Sequence, residues 1–358
     1  MTNVYALRCL DNTVEKNKSL WVRSVRATRG ERRPVAALGD VTEWPQSNMT
    51  WEDLESIPGP SNQWASNLHR KELVRRQGEY VWKNVGVTGK HYTLKWGTRE
   101  YNAPGRSFVD CDFSNISQEH GLYVSNSAST YVDNCTFVRC GSQGVQWAHR
   151  DMPYQQYDAD NMPYAARPVH VISGTHFLDC GVNGTRPSFN ATYFNPGSSM
   201  FPGSVSFQDS TFVADWGKDD AGQKGNRSTG AFVVTPSSQG ALPPEPGLHM
   251  ITKFHVNNCV FDYTRGDRPI GIVRAAREIE FENSCFIARD HSQPYIKVND
   301  KPEYPATQHV HVRNCVSQGV YLRIWDENGV PHSHGLHGPK LERIYSGRTG
   351  ELIEEKEL

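Results

Sequence analysis

Apolar, turn-forming and polar residues follow one another through the middle of the chain in a short pattern that returns at uneven intervals. It appears as Phe108-Val109-Asp110-Cys111-Asp112-Phe113 and again as Val132-Asp133-Asn134-Cys135-Thr136-Phe137. Ile172-Ser173-Gly174-Thr175-His176-Phe177 and Phe207-Gln208-Asp209-Ser210-Thr211-Phe212 continue it. Val256-Asn257-Asn258-Cys259-Val260-Phe261, Phe281-Glu282-Asn283-Ser284-Cys285-Phe286 and Val312-Arg313-Asn314-Cys315-Val316-Ser317 complete the series. Aligned on the final residue, the copies share four columns. An apolar residue stands five positions before the end, and Asp, Asn or Gly stands three before it. Cys, Ser or Thr stands two before it, and the end is Phe in every copy except the last.

The columns predict strand, sharp bend, strand. Asn, Asp and Gly are the residue types that enter the left-handed backbone region at least cost, so the bend belongs at their column. The apolar and aromatic columns on either side point inward. The shortest spacing, Phe113 to Phe137, is 24 residues, and the others are this period with insertions. Such a period fits a stacked solenoid. The Leu-x-x-Leu-x-Leu signature of a leucine-rich repeat is absent, and one strand-bend-strand unit cannot supply a propeller blade. Gly-containing turns after the Phe, at His120-Gly121-Leu122 and Cys140-Gly141-Ser142-Gln143-Gly144, lead toward a further strand of the same coil.

These motifs resemble the right-handed parallel β-helix proteins of the pectate-lyase-like group over residues 105–325. The resemblance implies an all-β fold, a right-handed parallel β-helix solenoid with an N-terminal mixed α/β cap. Seven coils at the spacing of hydrogen-bonded strands would stack to about 30 Å. The resemblance also implies a wide choice of functions, since this fold carries lyases, hydrolases, epimerases, viral spikes and structural rods.

The flanks lack the repeat. Residues 1–104 are expected to cap the open end of the solenoid or to dock on a partner. Thr50-Trp51-Glu52-Asp53 predicts a helix start stopped at Pro58-Gly59, and residues 62–76 predict a second helix ended by Gly78. Residues 80–96 predict strand, turn, strand. Residues 326–358 read as a polar tail, and free tails are usually poorly ordered.

Composition agrees with a thin solenoid. Of 358 residues, 37% are hydrophobic and 22% charged, too few apolar residues for a wide core. The net charge of −1 supplies no overall field for nucleic acid or an anionic membrane, so neither is expected as a partner. The chain opens without an apolar signal region and has no apolar run near 18 residues, so no secretion and no membrane span are expected. The eight Cys are then expected as reduced thiols, several of them in a buried column.

Three insertions, about 148–168, 185–204 and 216–252, are expected to emerge along one edge. They carry Tyr154, Tyr157, Asp158, Asp160, Tyr164, Tyr193, Phe194, Asp219 and Asp220. Paired carboxylates among aromatics suit glycan binding or glycoside cleavage, with Asp158, Asp160, Asp219 and Asp220 as the acid and base candidates. The aromatics Tyr154, Tyr157, Tyr164, Tyr193 and Phe194 would bind glycan or line an interface. Against catalysis, the Gly-His-Gly and Arg-x-Lys of polygalacturonase-type hydrolases and the Asp-Pro-His of alginate epimerases are missing. Without a Cys-x-x-Cys pair no zinc site is expected, and His332, His334 and His337 read as a solvated loop rather than a metal site. No metal or cofactor is therefore expected.

The resulting expectation is a non-enzymatic structural or attachment protein of a virus particle, such as a bacteriophage, made in the host cytoplasm and located in the virion. Its expected partners are further copies of itself in a trimer, other virion proteins and host surface polysaccharide. The alternatives are a tailspike-like polysaccharide depolymerase and a carbohydrate-binding β-helix module.

Overall fold

The bend column decides how the chain folds. In a computed structural model, Asn134, Gly174, Asp209, Asn258, Asn283 and Asn314 all have φ between +48° and +55°. Six of the seven copies therefore bend at the residue the alignment singles out, and Asp110 lies outside the described residues. The described residues comprise three N-terminal strands, Thr42–Glu43, Leu68–Arg76 and Glu79–Thr88, and much of the chain from Gly105 onward. The larger segments left out after Gly105 are 149–168, 182–189, 196–200, 215–229 and 236–250, with shorter ones elsewhere; residues 290–358 are continuous.

The described residues are all-β, with no helix. Two long parallel sheets run through them, as in a β-helix solenoid. The first holds both arms of every repeat. Ser129–Asp133, Val169–Ser173, Phe201–Gln208, Ile251–Asn257, Ala276–Glu282 and His309–Gln318 pair in succession, each parallel to the next. The arms after the bend pair in the same register, so that Phe113, Phe137, Phe177, Phe212, Phe261 and Phe286 lie opposite one another. The second sheet stacks Leu122–Ser125, Gln143–Ala148, Asn190–Asn195, Gly230–Val234, Gly271–Val273, Tyr295–Val298 and Tyr321–Trp325, again in parallel.

Between the sheets lies one continuous core. The Phe column is a ladder of parallel rings, with successive centroids 4.7 to 4.9 Å apart and planes within 9°. The ladder follows from the strand spacing, because equivalent residues of adjacent parallel strands are about 4.8 Å apart. Gly144 makes room for it: a Cβ there would come within 2.7 Å of the Phe177 ring.

The small-residue column ties the bends together. The Cys135 amide donates to Thr175 Oγ1 (3.2 Å), the Thr175 amide to Ser210 Oγ (3.1 Å) and the Cys259 amide to Ser284 Oγ (3.1 Å). A hydroxyl or thiol thus satisfies a buried backbone group of the neighbouring coil, which explains why Cys, Ser and Thr interchange in this column. Cys135, Cys259 and Cys315 in the column, with Cys140 and Cys180, are buried thiols. Burial pushes the Cys315 thiol up to about 12. Cys285, beside the column, is disulfide-bonded, so the expectation of reduced thiols fails there.

The flanks depart from expectation. The helix expected over 62–76 is replaced by the strand Leu68–Arg76, paired antiparallel with Glu79–Thr88, which in turn pairs parallel with the first repeat. The helix expected at 50–58 lies outside the described residues. Residues 326–358 form strands rather than a free tail. Pro331–Gly335 pairs antiparallel with Tyr321–Trp325, Gly338–Ser346 with His309–Gln318, and Leu352–Glu357 with Gly338–Ser346. Leu336 and Tyr345, both buried, belong to the main core. These antiparallel strands cover the end of the stack, where Ser317 replaces the Phe of the other repeats.

Candidate functional site

Of the candidate loop residues, Tyr193 and Phe194 lie among the described residues. Asp158, Asp160, Tyr154, Tyr157, Tyr164, Asp219 and Asp220 lie outside the described residues. The strands on either side of them are described. The chain between Gln143–Ala148 and Val169–Ser173 passes from the second sheet to the first. The chain between Thr211–Ala214 and Gly230–Val234 passes from the first to the second. Tyr193 and Phe194 belong to the second-sheet strand Asn190–Asn195 rather than to an insertion. Phe194 is fully buried, 6.4 Å from Trp147 and 5.4 Å from His170 between ring centroids, so it packs the core and offers no surface to a glycan.

The tail histidines do not converge on one another. His332 Nε2 faces Asp326 Oδ2 at 3.2 Å, His334 Nε2 donates to the Gly350 carbonyl at 2.7 Å, and His337 Nδ1 accepts from the Ser317 amide at 3.3 Å. His334 also packs on Tyr345, with centroids 4.4 Å apart. Each has a structural bond of its own, so the expected solvated loop is instead a set of strand and turn contacts.

Two outer faces carry the chemistry that the described residues do assemble. On the first sheet, alternate residues of three adjacent strands face outward. Lys253, His255 and Asn257 lie in register with Glu278, Glu280 and Glu282, which lie in register with His309, His311 and Arg313. A strip of glutamates thus runs between two strips of basic and imidazole side chains. Lys253 Nζ is 2.6 Å from Glu280 Oε2, and His255 Nε2 is 3.6 Å from Glu282 Oε2 and 3.9 Å from Glu280 Oε2. His309 Nδ1 and His311 Nε2 stand 3.3 and 3.9 Å from the two oxygens of Glu278. The neighbouring His255 imidazole, with help from Arg313 and Lys253, outweighs burial and holds the Glu282 carboxyl below its usual value.

On Tyr295–Val298 and Tyr321–Trp325 of the second sheet the outer face is aromatic and cationic. Tyr295 and Lys297 lie in register with Tyr321 and Arg323. The Arg323 guanidinium is 4.3 Å from the Tyr295 ring centroid, and Lys297 Nζ is 5.6 Å from that of Trp325. Nearby, Arg274 clasps Asp300 in a two-point bond, Nε to Oδ1 at 2.5 Å and Nη2 to Oδ2 at 2.9 Å. Burial alone would raise the Asp300 carboxyl, but the bond and charge of Arg274, together with Lys297, hold it below the usual range.

The histidine and glutamate face escaped the sequence reading, although the same alignment contains it. Lys253, Glu278 and His309 stand eight residues before the final position of their repeats, and His255, Glu280 and His311 stand six before it. Extending the columns upstream would have brought them together. Comparison with family models, curated proteins and solved structures finds no match to this chain.

Proposed function

We propose that this chain is a non-enzymatic structural or attachment rod of a virus particle, a right-handed parallel β-helix that works as a trimer beside other virion proteins. The observation that supports this reading most directly is the electrostatic state of the described carboxylates. Glu282, Asp300 and Asp326 each have a displaced titration, and each is displaced downward. Hydrogen-bond donors and cations hold them as anions. A general acid for glycoside cleavage needs the opposite, a carboxyl kept protonated by an apolar or anionic setting. Glu282 and Asp300 are paired with side chains of neighbouring coils, and such ties stiffen a stack. The repeat resemblance supplies the class of proteins in which such rods occur.

A carbohydrate-binding reading has one observation in its favour. Tyr295, Tyr321 and Trp325, with Arg323 and Lys297 among them, form an exposed to half-buried platform on flat sheet. Aromatic faces stack on sugar rings, and a guanidinium pairs with uronate or sialate carboxylates. Under this reading the rod attaches by gripping an acidic surface polysaccharide.

The test uses purified protein and host surface polysaccharide. The structural reading expects no new reducing ends and no unsaturated products, and incorporation of the protein into particles. Cleavage that disappears when Asp158, Asp160, Asp219 and Asp220 are replaced would overturn it in favour of a depolymerase. Binding without cleavage that is lost in Tyr321→Ala/Arg323→Ala establishes the attachment role.

A further inference from the structure

We propose that Glu278, His309 and His311 form a binding site for a divalent transition-metal ion of the zinc, nickel or copper kind on the outer face of the first sheet. The geometry begins with the strand repeat. His309 and His311 are alternate residues of His309–Gln318, so both project to the same side. Glu278 is the registered partner of His309 on the adjacent strand. One nitrogen of each imidazole and a carboxylate oxygen all lie within 4.8 Å of one another. His309 Nδ1 is 3.3 Å from Glu278 Oε1 and His311 Nε2 is 3.9 Å from Glu278 Oε2, near the separation of about 3.4 Å that two ligands have around a tetrahedral ion with bonds near 2.1 Å.

Chemistry selects the ion. Two imidazoles and one carboxylate suit zinc, copper or nickel, whereas calcium and magnesium favour all-oxygen shells. Charge selects this group over its neighbour. His255, Glu280 and Glu282 have a similar spread, but Lys253 already sits 2.6 Å from Glu280, and Arg313 is 3.9 Å from Glu282. Among the described residues, the ionic partners of Glu278 are the two imidazoles alone. The backbone is fixed in advance, because His309–Gln318 is held between Ala276–Glu282 on one side and Gly338–Ser346 on the other. Three protein ligands on an open face leave room for water, or for a side chain of another molecule, to complete the shell.

The experiment is a titration of the full chain, stripped with chelator, against zinc chloride and nickel chloride by calorimetry. One equivalent is expected to bind with micromolar or tighter affinity and to raise the melting temperature. His309→Ala/His311→Ala should lose that equivalent, Glu278→Gln should weaken it about tenfold or more, and His255→Ala should keep it. All these positions lie on the outer face, so circular dichroism and metal-free melting should match the parent and exclude misfolding as the cause. Absence of binding tighter than about millimolar, or an unchanged equivalent in the double variant, would overturn the site. Loss in His255→Ala with retention in the double variant would overturn it as well.

Discussion

The inner and outer sides of the first sheet obey opposite rules. Across Thr211–Ala214, Val260–Tyr263 and Cys285–Ile287, the arms after the bend, the inner side repeats like on like: Phe212 on Phe261 on Phe286. The outer side sets unlike on unlike, with Lys253 and His255 beside glutamates, and the glutamates beside His309, His311 and Arg313. Both patterns follow from one spacing. At about 4.8 Å, identical aromatic rings make van der Waals contact and bury each other, whereas identical charges would repel. A solenoid therefore advertises its interior by repetition and its exterior by complementarity.

The largest expected effect comes from breaking the repetition. Phe261 is fully buried and stacked on both sides, between Phe212 and Phe286. Phe261→Ala would remove the transfer energy of the ring and leave a cavity in the column. The expected loss is about 3–5 kcal/mol in chemical denaturation. Phe261→Leu, which fills more of the space, should cost clearly less. Equal costs for the two variants would mean that the column collapses around the gap and that stacking is not what the repetition conserves.

The bend joins the two sides, and its cost is intermediate. Asn283 has φ +48°. Its side chain donates to Asn257 Oδ1 at 3.0 Å and accepts from Asn314 Nδ2 at 2.9 Å. Asn283→Val would place a β-branched residue in the left-handed region and break the amide ladder. Destabilisation of about 2 kcal/mol is expected from the backbone conformation and the lost bonds together. Asn283→Gly keeps the conformation and loses only the ladder, so it should cost about 1 kcal/mol or less. If valine and glycine destabilise equally by urea melt, the bend itself carries no strain.

This contrast also explains what the sequence displayed. Inward columns admit few residue types, and the bend admits few that tolerate a positive φ, so Phe, the small hydroxyls and thiols, and Asn repeat visibly despite insertions. Outward positions are chosen by their registered neighbours, and His255, Glu280 and His311 look unrelated until the coils are aligned. Leu68–Arg76 misleads for a related reason: its charged residues suit a helix, and only pairing with Glu79–Thr88 makes it a strand. The end strands of 326–358 carry none of the inward columns, because they cover the stack instead of continuing it. Leu336 and Tyr345 are the few apolar residues that they send inside.

A smaller effect is expected from breaking the complementarity. Glu280→Lys would face Lys253 with a like charge where an ion pair of 2.6 Å now stands. Half-exposed pairs of this kind contribute about 0–1 kcal/mol, and salt screens them. The variant should lose roughly that amount at low ionic strength and recover most of it at about 1 M salt. A loss that persists in high salt would show that the glutamate packs rather than pairs.

The smallest effect is a pH dependence at Glu282. His255 first, with Arg313 and Lys253, lowers this carboxyl from its ordinary 4.5 against the opposing effect of burial. The unfolded chain therefore takes up the proton at a higher pH than the folded one. Below 4.5 the unfolded state binds more protons, so stability falls as pH falls. The contribution is complete above the unfolded value and is lost as pH drops through the depressed folded value. Glu282→Gln removes it. Wild type should exceed the variant by less than about 1 kcal/mol at pH 6, and the two urea midpoints should converge as pH falls toward about 3. Midpoints that stay parallel over that range would assign the difference to the shape of the side chain and not to its charge. The outer face would then owe its order to packing, and the contrast with the inner columns would be one of residue type alone.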